Sequence, residues 1–187
     1  RGRVAGLTGI QRHHSQEDHF RAAICHSKDI SVWEVPQFTN PDITTCVWRP
    51  SLAPSCREID LISAYWAGGT AEIPEMLKQV VEFCQRESIE FICGIDSNAH
   101  SSWWGNPRTD RRGEKLEDFL LDQNLCLLNQ GQTSTFKSPV GQSKIDHTFC
   151  SASTQRNIKN WKVLTNYSGS DHRIIRMNFE PEGETRR

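Results

Sequence analysis

Charge imbalance, long apolar runs and paired-cysteine motifs are all missing from this chain of 187 residues. Lysine and arginine number 22 against 23 acidic side chains, a formal net charge of −1. No basic field covers the whole chain, so any contact with nucleic acid has to come from local patches. No apolar run approaches the roughly 20 residues needed to cross a bilayer, and no signal-peptide pattern opens the sequence. No membrane partner is expected. The seven cysteines (25, 46, 56, 84, 93, 126 and 150) are odd in number and never spaced Cys-x-x-Cys. That usage argues against a disulfide framework or a zinc site and for buried, reduced thiols in an intracellular protein. Internal repeats and low-complexity linkers are also lacking, so residues 1–179 read as one domain and 180–187 as a charged tail. Arg1 stands where an initiator Met would, and the chain is read as a piece of something longer.

What is present is an interleaving of strand and helix patterns. Phe20–Cys25 and Ile30–Val35 read as short strands around the turn Ser27-Lys28-Asp29. Arg57–Trp66 alternates, with Ile59, Leu61 and Ser63 on one face and Ile62 and Ala64 on the other. Ala71–Glu87 repeats Met76, Leu77, Val80, Val81 and Cys84 at helical spacing, and Pro74 suits its first turn. A second amphipathic helix spans Arg112–Asn124, with Asp110 as its expected N-cap. Strands are expected at Phe91–Asp96, Leu125–Leu128, Ser143–Cys150, Asn157–Leu164 and Arg173–Phe179.

Three polar clusters adjoin these apolar runs: Asp96-Ser97-Asn98, Lys144-Ile145-Asp146-His147 and Ser170-Asp171-His172. Polar side chains at the ends of buried strands are how α/β folds assemble a cleft. Side chains repeat every second residue on a strand, so Asp96 and Asn98 share a side. Asp96 can orient or deprotonate a water, and Asn98 can donate to a phosphoryl oxygen. On those residues alone, an Asx turn is the plainer account. His172 needs a separate carboxylate to hold its tautomer, and Asp146 is the natural candidate. Read alone, Asp171-His172 is equally a strand cap beside a surface histidine.

From Glu58 to Met177 the chain resembles the endonuclease/exonuclease/phosphatase superfamily, which includes DNase I and the abasic-site endonucleases. Within it, the chain is most similar to the endonuclease domain of non-LTR retrotransposons. The residues carrying the likeness are Ser63-Ala64-Tyr65, Gly94 to His100, Trp103-Trp104-Gly105, Thr109 to Gly113, Thr135-Phe136, Lys144 to His147 and Ser170 to His172. The resemblance implies a two-sheet α/β sandwich of DNase I type and a metal-dependent DNA endonuclease using Mg2+ or Mn2+. Such an enzyme nicks double-stranded DNA in the nucleus and leaves a 3′ hydroxyl for the reverse transcriptase domain of the same polyprotein. It assigns Asp96 and Asn98 to positioning the nucleophile, His172 oriented by Asp146 to the scissile phosphate, and Asp171 to the metal. It places Tyr65 near the phosphate and gives Thr135 and Ser170 supporting hydrogen bonds. An abasic-site endonuclease or phosphatase of the same superfamily, or an inactive DNA-binding remnant, are the other readings.

One element of the family pattern has no match. Its first strands carry an Asn and then a Gln-Glu whose Glu is a principal metal ligand. Gln16-Glu17 lies in a polar stretch and Glu34 stands in another context. The expectation is that N-terminal strands precede Arg1; the alternative is a copy that has lost the ligand. Arg108, Arg111, Arg112 and Lys144 are the candidate DNA contacts, with ordinary ion pairs at a solvated helix start as the bland account of the three arginines. Trp103 and Trp104 are read as packing residues, and His13 and His14 as surface residues. Lys137–Ser143 reads as a hairpin tip beside the cleft and the candidate for target selection.

Overall fold

The computed structural model describes residues 10–17, 19–51, 57–166 and 168–181. Cys56 and most of the charged tail lie outside them. In chain order, strands β1 (Ile10–His13), β2 (Ile24–Ser27), β3 (Val32–Glu34), β4 (Ile43–Trp48) and β5 (Ile59–Tyr65) lead to helix α1 (Glu75–Arg86). Strand β6 (Glu90–Asp96), helix α2 (Arg111–Asp122) and strands β7 (Leu125–Leu127), β8 (Phe136–Ser138) and β9 (Gly141–Ser143) follow. Strands β10 (Asp146–Ser151), β11 (Ile158–Val163) and β12 (Ile175–Phe179) complete the set.

Alternation along β5 decides the layering. Ile62 and Ala64 face one side of a six-stranded sheet ordered β3-β4-β5-β6-β10-β7, and Ile59 and Leu61 face the other. The first side packs under the two helices: Leu77, Val80, Val81 and Cys84 of α1, and Leu116, Phe119 and Leu120 of α2. On the second side, Trp161, Ile175, Met177 and Phe179 of the β11–β12 ribbon close over Ile59, Ile92 and Cys150. The result is the expected α/β sandwich, with a two-stranded ribbon as its smaller sheet. β5 and β6 run parallel, which requires a crossover, and α1 is that crossover.

Several boundaries move for local reasons. The strand expected at Phe20–Cys25 forms only from Ile24, because the amides of Arg21 and Ala22 donate to the Pro41 carbonyl. β4 has no counterpart in the sequence reading. Its Thr44 and Thr45 break the apolar run, yet both are buried between β3 and β5, and the Thr44 hydroxyl donates to the Ala22 carbonyl. Pro74 is the N-cap of α1 and stands just outside its first turn. His13 and His14 are half-buried, which corrects their reading as surface residues. The His13 and His26 Nε2 atoms meet at 3.2 Å, and His14 stacks on Phe20. Buried Cys46, Cys84, Cys93 and Cys150 are free, and burial pushes the thiols up, to about 12 for Cys46 and Cys150. They are packing residues and not nucleophiles.

Helix α2 is set by its first turn. Asp110 caps it by accepting from the Gly113 amide at 2.7 Å, as expected. Gly113 also lets the helix approach the preceding loop: a Cβ there would lie 1.9 Å from the His100 carbonyl oxygen. Gly113→Ala should therefore destabilise the fold by about 1–3 kcal/mol, the usual cost of overpacking. An unchanged urea midpoint would show that the loop yields freely.

Candidate active site

Three strand ends stand abreast at one edge of the sheet. Parallel pairing aligns Tyr65 with Asp96, and antiparallel pairing of β6 with β10 aligns Asp96 with Asp146. His172 arrives from the other side of the sandwich through a bridge to Phe136, whose ring meets the imidazole edge-on at 4.9 Å. Its Nδ1 lies 2.9 Å and 3.2 Å from the two Asp146 oxygens. A carboxylate only accepts, so Nδ1 carries the proton and Nε2 is directed elsewhere. That Nε2 lies 3.8 Å from Asp96 Oδ2. Asp96, Asp146 and His172, far apart in sequence, thus form one cluster.

Asp96 is held above the usual carboxylate range, first by burial and then by the nearby Asp146 charge. His172, the Asn98 backbone amide and Arg112 pull in the opposite direction. Asp96 Oδ1 is buried without a hydrogen-bond partner. One ligand atom from each of Asp96, Asp146 and His172 falls within 4.8 Å of the others. Two adjacent carboxylates, one with an unpartnered oxygen, fit a hard divalent cation. Among the described residues no glutamate joins this group.

The surroundings of Asp146 are held by neutral side chains. Thr135 Oγ1 accepts from the amides of both Ile145 and Asp146 at 3.0 Å. Asn106 grips Lys144 at both ends, accepting from its amide and donating to its carbonyl. Asn129 donates to the Asp146 carbonyl and accepts from the Thr148 amide. Ser97 and His147 join β6 to β10 at 2.9 Å. His147 is 1% exposed, and burial drives its pKa down to about 3, so it stays uncharged. Asn106, Asn129, Ser97 and His147 were not singled out for any role in the sequence. Ser97 and His147 stand inside two of the polar clusters, but nothing local shows what any of the four residues holds, because their partners are backbone groups or side chains of distant segments.

The remaining candidates divide. Asn98 is half-buried beside Asp96 in a left-handed conformation, with φ of 49°. The Tyr65 ring lies under the Arg21 guanidinium, which is itself paired with Asp42. Ser170 Oγ accepts from the His172 amide at 3.2 Å. Asp171 is exposed outside the cluster and lines a cleft with Lys137, Ser168 and Arg173. Arg108 and Arg111 are exposed, Arg111 standing 3.8 Å from Glu72. Two of the expected DNA contacts, Arg112 and Lys144, are bonded within the chain. Arg112 donates to the carbonyls of Trp66, Ala67, Thr70 and Ser97 and lies 4.1 Å from the Trp66 ring centroid. Lys144 is 7% exposed, and its Nζ donates to Gly131 and Gln132. Both cations are engaged in holding loops together. Trp104 is buried as expected, whereas Trp103 is 49% exposed.

Comparison with known proteins agrees with this geometry. Residues 59–176 match the family described as endonuclease-reverse transcriptase. A Pol polyprotein from the type-1 retrotransposable element R1 of Bradysia coprophila is 29% identical over 134 residues. That match covers 66% of this chain and 13% of the polyprotein. The solved endonuclease domain of TRAS1, a telomere-specific non-LTR retrotransposon, superposes with a TM-score of 0.78 at 29% identity, covering 92% of this chain and 81% of that one. An AP endonuclease from Leishmania major shares the fold at 14% identity and a TM-score of 0.59, covering 75% of this chain and 55% of that one. With its strand-end cluster inside the matched segment, the chain belongs to the endonuclease-reverse transcriptase family and has the DNase I-like fold of non-LTR retrotransposon endonucleases.

Proposed function

We propose that this chain is a divalent-metal-dependent DNA endonuclease that nicks one strand of a duplex and leaves a 3′ hydroxyl. That hydroxyl would prime reverse transcription by another domain of the same polyprotein, at chromosomal DNA in the nucleus. Residues 1–179 would act as one domain. The observation that carries the reading is His172, held by Asp146 and directed at Asp96 across the strand ends.

In this reading Asp96 orients a water and takes its proton as the water oxygen bonds to phosphorus. The bond from phosphorus to the 3′ oxygen breaks, and that oxygen takes a proton from solvent. His172, fixed by Asp146, and the Asn98 amide stabilise the charge that builds on the phosphoryl oxygens. Tyr65 stands at the same edge to contact the phosphate. Thr135 and Ser170 act through backbone, by holding Asp146 and His172 in place. Asp96 and Asp146 would hold Mg2+ or Mn2+, which when bound neutralises phosphate charge and acidifies water. Arg108 and Arg111 remain exposed for phosphate contact. A specific observation favours a second reading: among the described residues the cluster has no glutamate. A chain that binds DNA without cutting it would show duplex affinity and no magnesium-dependent nicking of plasmid.

His172→Ala and Asp96→Ala should each lower the plasmid-nicking rate by about 10²–10⁴-fold while the protein remains folded. Near-native nicking by either variant removes the assigned roles.

The burial of Asp96 has a sign that stability can read. Its folded pKa is raised, so its contribution is full below the unfolded value and is lost as pH rises through the folded one. Asp96→Asn should therefore be more stable than wild type at neutral pH without metal. It should also lack the rise in melting temperature expected of the wild type in magnesium. Equal melting curves for the two metal-free proteins between pH 4 and 7 would contradict this.

Phosphate and metal are the same at every step of a duplex, so choice of site must come from elements beside the cluster. The β8–β9 hairpin is one, anchored by the Phe136–His172 bridge and carrying Val140 97% exposed near its tip. Replacing Lys137–Ser143 with a short turn should leave nicking measurable and redistribute the cut positions on a long duplex. An unchanged map would assign selectivity elsewhere.

A further inference from the structure

Adjacent residues on a strand point to opposite faces, so a cluster built on Asp96 and Asp146 leaves their neighbours facing elsewhere. Those neighbours are Ser97 and His147, and they bond to each other: Ser97 Oγ and His147 Nδ1 are 2.9 Å apart. His147 pairs across the sheet with Ile95, in the layer that packs against the helices, and Trp104 lies edge-on to it at 4.5 Å. An apolar side chain would suit that place. The imidazole instead leaves its Nε2 buried with no hydrogen-bond partner, a standing penalty. What it supplies in return is the bridge. Ser97 Oγ also contacts the Ile145 carbonyl at 2.9 Å and accepts from the Ala99 amide at 3.1 Å. The Ser97 amide donates to that same Ile145 carbonyl. One hydroxyl thereby ties together the residue after Asp96, the residue before Asp146 and the residue after it.

We infer that His147 is a positioning residue for the cleavage site, a buried imidazole that fixes the height of the Asp96 strand end against the Asp146 strand end through Ser97. This rests on the nuclease reading and deepens it. Misplacement of reacting groups by about 1 Å costs on the order of 10²-fold in rate, so a bridge between two strand ends is a lever on kcat. His147 touches neither substrate nor cation in this role. Its effect is on where Asp96 and Asp146 stand.

The test compares His147→Phe, which keeps ring and volume but deletes Nδ1, with His147→Asn, which restores a polar atom near that position, and with Ser97→Ala. Plasmid nicking in magnesium gives kcat and KM, Mn2+ titration followed by electron paramagnetic resonance gives cation affinity, and thermal melts report folding. Folded His147→Phe should lose about ten- to a hundredfold in kcat, with KM within about twofold, and should bind Mn2+ more weakly. His147→Asn should recover part of both losses. The Ser97→Ala/His147→Phe double variant should be no worse than the poorer single, since both remove one bridge. Wild-type kcat and Mn2+ affinity in folded His147→Phe, a change in KM alone, or additive losses would each overturn the inference. Should the wild-type chain fail to nick, the nuclease reading falls, and Mn2+ affinity across the same variants decides the inference by itself. Should His147→Phe fail to fold, His147→Asn and Ser97→Ala decide it by the same two readouts.

Discussion

Everything at the site depends on β6 and β10 ending at the same height. Their antiparallel register sets Asp96 directly opposite Asp146, and strand spacing brings the two carboxylates close enough to share one imidazole. A slip of one residue in β10 would send Asp146 to the wrong face. The helices and the ribbon secure that register from the two sides of the sheet, through Phe91, Cys93, Ile95 and Phe149 on one and Ile92 and Cys150 on the other.

Placing two like charges together at a half-buried edge is unfavourable, and the fold tolerates it through neutral polar support. Thr135, Asn106, Asn129 and Ser97 satisfy backbone groups around residues 144–148 without adding charge. A charged scaffold in these places would have shifted the carboxylates and obscured the site's own field. The one permanent cation among the influences on Asp96, Arg112, is bound to carbonyl oxygens. It acts as a buckle between the segment after β5 and the segment after β6.

That use of basic residues bears on the proposed contact with DNA. Among the basic side chains of residues 108–144, Arg112 and Lys144 hold the fold, whereas Arg108, Arg111 and Lys137 are at the surface. With so near-neutral a chain, affinity for a duplex would rest on a few local contacts and show a correspondingly shallow salt dependence.

Periodicity is local, so the amphipathic helices, the alternation of β5, the Asp110 cap and the three polar clusters were legible in the chain itself, whereas the residues alone made Asp146 only a candidate partner for His172 and the family resemblance supplied the pairing. Strand β4 was not, because Thr44 and Thr45 look polar until neighbouring strands bury them. Nor was the role of Arg112, whose partners are four carbonyls from loops lying at least fifteen positions away in sequence. Whether a cation reaches DNA or a loop, and whether a histidine is a ligand, a base or a strut, is settled by what burial leaves beside it. His172 and His147 are both histidines near Asp146. Only the tertiary structure, by bringing one to the strand ends through its bridge to Phe136 and setting the other in β10 toward the helices, made them different.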